Sequence, residues 1–159
     1  MSKILFSECL LGAPVRYDAQ SKPINHPLIQ QWKNQGRLVA FCPECSAGLT
    51  TPRNAAEIQK GDGFSVLSGD SQIITNQNEN VSNEFVAGAK LALQLCEQHN
   101  IQYAILTAKS PSCGNELIYD GSFTGNLVAG LGVTAALLSQ NGIKVFNQHQ
   151  IDQLDKIIV

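Results

Sequence analysis

The chain has 159 residues, 43% hydrophobic and 15% charged, which is enough to bury one good core and gives no sign of a second domain. A net charge of -2 and a pI near 5.9 exclude a protein that coats nucleic acid by charge alone, while leaving room for a local basic pocket. No segment approaches the roughly eighteen apolar residues of a membrane span, and Met1-Ser2-Lys3 leads straight into a short strand without a secretory h-region, so a cytoplasmic protein is expected.

The first predicted strand, Lys3 to Glu8, runs into Cys9 and a loop punctuated by Gly12 and Pro14. Beside Cys9 that loop carries Arg16, Tyr17 and Asp18, which suit either a solvated ion pair or a polar wall of a site. After the break Ser21-Lys22-Pro23, the segment His26 to Lys33 reads as a short helix with Pro27 in its first turn, ended by Gly36. A second strand, Arg37 to Phe41, runs into Cys42. The following loop holds Glu44, Cys45, Thr50, Thr51 and Arg53. Cys42 and Cys45 form a C-x-x-C without a second pair, a weak zinc signal that equally fits a redox pair. Glu44, between cysteines at a strand end, is either an exposed carboxylate or a group placed to move protons. Thr50, Thr51 and the guanidinium of Arg53 suit an anion such as phosphate, though Arg53 also reads as a surface residue.

Between Asn54 and Asn80 the expectation is a small extra hairpin, Phe64–Leu67 pairing with Gln72–Thr75. Glu79 to His99 is the clearest helix, with Phe85, Ala89, Ala92 and Cys96 on one face, so Cys96 reads as a core thiol. The apolar run Ile101 to Leu106 is a third strand. It ends in Ser110-Pro111-Ser112-Cys113-Gly114, where Pro111 and Gly114 force a turn. Glu116 to Asn126 suits a loop folded over the same edge. Gly130 to Leu138 opens a second long helix whose glycines let N–H groups approach an anion or simply allow close packing. A last strand at Ile143–Phe146 and a short helix through Ile151, Leu154 and Ile158 complete one domain over 1–159. The alternation of strand and helix predicts a Rossmann-like α/β fold with a mainly parallel sheet flanked by helices. If the three strands are neighbours, Cys9, Cys42 and Cys113 meet at one sheet edge, and a thiol trio is the raw material of a soft-metal site. The chain has five cysteines, an odd number that cannot pair completely, and in a reducing compartment such thiols bind metal, catalyse or pack.

Several motifs, taken in order, resemble the domain-of-unknown-function family 523, whose characterised branch is the TudS-type thiouracil desulfidases. They are Cys9-Leu10-Leu11-Gly12, Val15-Arg16-Tyr17-Asp18, Cys42-Pro43-Glu44, Thr51-Pro52-Arg53 with Ala56-Glu57-Ile58, Ser110-Pro111-Ser112-Cys113-Gly114, Tyr119-Asp120-Gly121-Ser122-Phe123 and Gly132 to Leu138. Ala19 stands where the family usually has Gly, and Cys45 occupies a variable position, which makes it a poor ligand. The resemblance implies a 4Fe-4S cluster held by Cys9, Cys42 and Cys113 with one iron open to the sulfur of a thiocarbonyl. It also implies Glu44 as the proton carrier, with Ser110 and Ser112 positioning water or substrate in a desulfuration without net electron transfer.

Arg16, Asp18, Thr51 and Arg53 are the expected substrate-binding residues, which favours a thiouridine monophosphate such as 4-thio-UMP over free thiouracil. A whole thiolated tRNA fits less well, because no basic stripe appears along any helix. Two other readings stay open: a thiol redox or sulfur-carrier protein using Cys42 and Cys45, and a non-catalytic nucleotide-binding domain using Arg16, Arg53 and the glycine-rich turns.

Overall fold

In a computed structural model of the chain, residues 1–21 and 23–159 are described; Lys22, in the expected break Ser21-Lys22-Pro23, lies outside them. The chain begins with β1 (Ile4–Ser7), a 3-10 turn (Glu8–Leu11), α1 (Pro27–Asn34), β2 (Leu38–Phe41) and α2 (Pro43–Ser46). It continues through β3 (Ala56–Gln59), α3 (Gly63–Leu67), β4 (Gln72–Thr75), α4 (Ser82–Gln98) and β5 (Tyr103–Leu106). It closes with β6 (Leu117–Tyr119), β7 (Leu127–Ala129), α5 (Val133–Gln140), β8 (Lys144–Asn147) and α6 (Ile151–Asp155).

The main sheet has the order β2-β1-β5-β8 with every pair parallel. All of β1 is buried, as a parallel strand covered on both faces requires. Side chains alternate across the strand: Ile4 and Phe6 pack with Ile29 and Trp32 of α1 and Leu154 of α6, while Leu5 packs with Ala92 of α4 and Leu138 of α5. Removal of Ile4, Leu5 and Phe6 from water stabilises by on the order of 1.5–3 kcal/mol each, so β1 is a rigid base for whatever leaves its end. The register sets Ser7 beside Phe41, and Phe6 beside Ile105, so β1, β2 and β5 finish level with one another. From β1 the chain first adds β2 on one side and later β5 on the other. That reversal of direction is where ligands bind in open α/β sheets. Among the described residues no helix is long and apolar enough to cross a membrane.

Several expectations need correction. Phe64–Leu67 is not a strand: the Asp62 carboxylate accepts the N–H of Ser65 and the Ser65 hydroxyl accepts the N–H of Asp62, a reciprocal cap that starts α3. The hairpin instead pairs β3 with β4, antiparallel, with Ile58 and Ile73 in its own small core under α3 and α4. The segment beyond Cys113 is more ordered than a loop, since β6 and β7 form a second antiparallel hairpin. The helix after Gly132 is also shorter than expected, with eight residues, and α6 stops at Asp155 although Ile158 still packs on the core.

Candidate active site and metal centre

Three strand ends deliver three thiols to one cavity of about 580 Å³. Cys9 lies in the 3-10 turn after β1, Cys42 is the N-cap of α2 after β2, and Cys113 lies on the turn that follows β5. All three are buried and line the cavity. Two close approaches fix the loops. A Cβ at Gly88 of α4 would stand 2.3 Å from the Pro43 carbonyl oxygen, so only glycine lets α2 and its Glu44 sit this near. A Cβ at Gly132 would stand 2.5 Å from the Ser112 carbonyl carbon, so glycine also seats the Cys113 turn on the start of α5. There the N–H of Val133 donates to Pro111 O, and those of Thr134 and Ala135 donate to Ser112 O. The amino end of α5 is thus occupied by carbonyls, and the reading of Gly130 and Gly132 as an anion cradle is replaced by close packing.

Burial pushes all three thiols up in pKa. Cys113 is raised to about 12, by desolvation first and the Glu44 carboxylate second, while the hydroxyls of Ser112 and Ser7 act the other way. Cys42 is raised by the same two causes. For Cys9 desolvation is again the largest cause, offset by the Thr107 hydroxyl and Arg16 and reinforced by Glu44. One carboxylate therefore bears on all three sulfurs, and a bound cation is what would bring these thiols to thiolates.

Among the described residues no group of three Cys, His, Asp or Glu side chains converges to hold a metal ion. A single ion bound at about 2.3 Å to each thiolate would need sulfurs only about 3.7 Å apart. Thiols spread around a shared cavity wall fit a wider inorganic body instead, and an all-sulfur donor set is the one that selects iron–sulfur clusters. Two of the sulfurs also have a polar partner beside them: Thr107 Oγ1 lies 3.0 Å from Cys9 Sγ, and the Cys45 N–H donates to Cys42 Sγ at 3.5 Å. Neither Cys45 nor Cys96 lines the cavity; Cys45 Sγ bonds Thr51 Oγ1 and Val15 O, and Cys96 is in the core.

The remaining expected residues divide sharply. Glu44 and Arg53 line the cavity and form a largely buried ion pair. The other guanidinium contacts run to Val15 O, Thr50 O and Thr51 Oγ1, and the Arg53 N–H donates to Tyr17 O. The Arg53 guanidinium is thus engaged within the protein, by Glu44, Val15 O and Thr50 O. Thr51 bonds Arg53 and Cys45 and does not line the cavity. Asp18 also stays off it, its carboxylate accepting the Gln20 N–H in its own turn. Arg16 lines the cavity and lies over the Tyr17 ring at 5.9 Å. Ser110 lines the cavity, and its oxygen accepts the N–H groups of Ser112 and Cys113, so its own proton remains available to donate. Ser112 is fully buried, bonded to Thr134 Oγ1 at 2.8 Å, and off the cavity, so it cannot touch a substrate.

Sequence reasoning missed Thr107, Lys109 and Glu57, all on the cavity wall. Thr107 and Lys109 directly follow β5, where a polar residue ending an apolar run was the available signal. Glu57 carried no such signal. It accepts the N–H groups of Gly121 and Phe123 and so pins the Asp120–Gly125 loop beside the site.

The family model for 2-thiouracil desulfurase matches residues 4–150. The chain belongs to the 2-thiouracil desulfurase family. It is 37% identical to an uncharacterized protein, YbbK, of Bacillus subtilis strain 168, over 95% of this chain and 99% of that one. A solved structure named [4Fe-4S]-dependent thiouracil desulfidase TudS is 44% identical, with a TM-score of 0.90 over 98% of this chain and 97% of its own.

Proposed function

We propose that this desulfurase-family chain is a thiouracil desulfidase in which Cys9, Cys42 and Cys113 hold a 4Fe-4S cluster with one iron left open. The observation that carries the reading is the meeting of three buried thiols from three strand ends around one cavity, with the Glu44 carboxylate bearing on all of them. The TudS structure, 44% identical over nearly the whole chain, supports the same cofactor. When bound, such a cluster supplies a soft Lewis acid that prefers a thiocarbonyl sulfur to a carbonyl oxygen.

The reaction is thiouracil plus water to uracil plus hydrogen sulfide, with no net electron transfer. Glu44, held by Arg53, takes a proton from the water that adds to the ring carbon and returns it as the C–S bond breaks. Ser110 donates its remaining hydroxyl proton to substrate or water, and the turn that carries it also carries Cys113, which fixes one relative to the other. Ser112 anchors the Cys113 turn to α5 through Thr134.

A thiouridine monophosphate is the preferred form of the substrate, its phosphate held by Arg16 and Lys109. Both line the cavity, and neither forms an ion pair among the described residues. A thiolated tRNA fits less well, since the net charge is -2. An open-iron cluster survives best in a reducing compartment, which supports a cytoplasmic setting. The test is anaerobic incubation of cluster-loaded protein with 4-thiouracil and with 4-thio-UMP. Uracil or UMP formed in step with sulfide supports the reading, as does a nucleotide preference that Arg16→Ala removes. Sulfur transfer to a thiol acceptor through Cys42 and Cys45, without uracil, would replace it with the sulfur-carrier alternative.

A further inference from the structure

We infer that Thr107 is a positioning residue of the sulfur ligand set, its hydroxyl donating to Cys9, so that a side chain at the end of β5 sets the electron density on the ligand that follows β1. The inference rests on the cluster reading above and goes beyond it, because nothing in the C-x-x-C or Ser-Pro-Ser-Cys motifs includes Thr107 or Ser7.

The geometry is direct. Thr107 Oγ1 lies 3.0 Å from Cys9 Sγ in a buried contact between residues 98 positions apart. A ligand thiolate has no proton, so in the loaded protein the hydroxyl must be the donor. The Thr107 N–H in turn donates to Ser7 Oγ at 3.1 Å, also buried. Ser7 is 4% exposed, so this bond ties the ends of β1 and β5 together out of reach of water. Ser7 ends β1 and Thr107 follows β5, neighbouring strands in register from Ile4 with Tyr103 to Phe6 with Ile105, so the pair is fixed by the sheet itself. Donors to cluster sulfurs draw charge off the ligands, raise the reduction potential and make the iron a stronger Lewis acid.

The experiment compares wild type, Thr107→Val and Thr107→Ser after anaerobic cluster loading, with iron and sulfide content and the cluster's midpoint potential as readouts. Thr107→Val keeps the side chain's shape and removes the donor; Thr107→Ser keeps the donor. The expected result is wild-type iron content in both, a potential shifted to more negative values in the valine variant, and a wild-type potential in the serine variant. Loss of iron in the valine variant with retention in the serine variant also supports the donor role. An unchanged potential in Thr107→Val, or equal loss of iron in both variants, overturns it and leaves Thr107 a packing residue. Wild type that takes up no cluster overturns the cluster reading and this inference together.

Discussion

Arg53 Nη2 and Glu44 Oε2 lie 2.5 Å apart, in an ion pair whose side chains are 10% and 16% exposed, on the wall of the cavity that the three thiols share. The pair changes the meaning of both residues, because the carboxylate whose charge bears on all three sulfurs is aimed by a fork that also bonds Val15 O and Thr50 O. Arg53→Ala should therefore keep cluster iron while kcat for free thiouracil falls by up to about 10²-fold, the scale of a displaced catalytic group. Arg53→Lys should recover only part of the loss, since an ammonium cannot span these partners. Steady-state kinetics on iron-matched samples decide it: an unchanged kcat with a raised KM for 4-thio-UMP alone would return Arg53 to phosphate binding.

Glu44→Gln preserves the shape of the side chain and removes its ability to carry a proton. Cluster content and thiouracil binding should persist, with turnover lower by roughly 10²- to 10⁴-fold. A wild-type rate in single-turnover assays would take Glu44 out of the mechanism.

Gly132 is the hinge point of packing behind Cys113. In Gly132→Ala the new methyl meets Ser112 carbonyl carbon at 2.5 Å and Cys113 N at 2.8 Å, so the ligand turn must move. The expected cost is about 1–3 kcal/mol, the range for overpacking a tight contact, with poorer iron retention. Urea denaturation and iron assays together check this, and a stable variant with full iron would show the turn to be pliant.

Cys96 makes a pH-dependent case away from the cavity. Burial, and then the neighbouring Glu97 carboxylate, push its thiol from 9.0 to about 12. The folded state holds that proton more tightly than the unfolded chain, so this contribution to stability is complete below about pH 9 and disappears as pH rises towards 12. Thermal melts of metal-free protein should show alkaline destabilisation that is shallower in Cys96→Ala. Equal slopes in the two proteins would mean that other groups dominate.

What could be read from the sequence followed the strength of local constraints. β1, β2 and β5 were visible as apolar runs, and a break immediately after each run told where Cys9, Cys42 and Cys113 would emerge. Phe64–Leu67 misled because four residues are too few for a period to distinguish helix from strand, and the Asp62–Ser65 cap decided the matter. The role of Arg53 was hidden for a different reason. Its partners, Val15 and Glu44, are 38 and 9 positions away, and only the folded loops bring them together. Ser112 and Ser110, two residues apart, look alike in sequence, yet the turn sends one hydroxyl to Thr134 and leaves the other at the cavity.

The most direct measurement is iron and acid-labile sulfide in anaerobically loaded cysteine variants. Cys9→Ala, Cys42→Ala and Cys113→Ala should each lose the cluster and its broad absorption near about 400 nm, which arises from thiolate-to-iron charge transfer. Cys45→Ala and Cys96→Ala should stay at the wild-type level, because neither thiol lines the cavity. A full cluster in Cys113→Ala, or its loss in Cys45→Ala, would contradict the assignment of the three strand-end thiols.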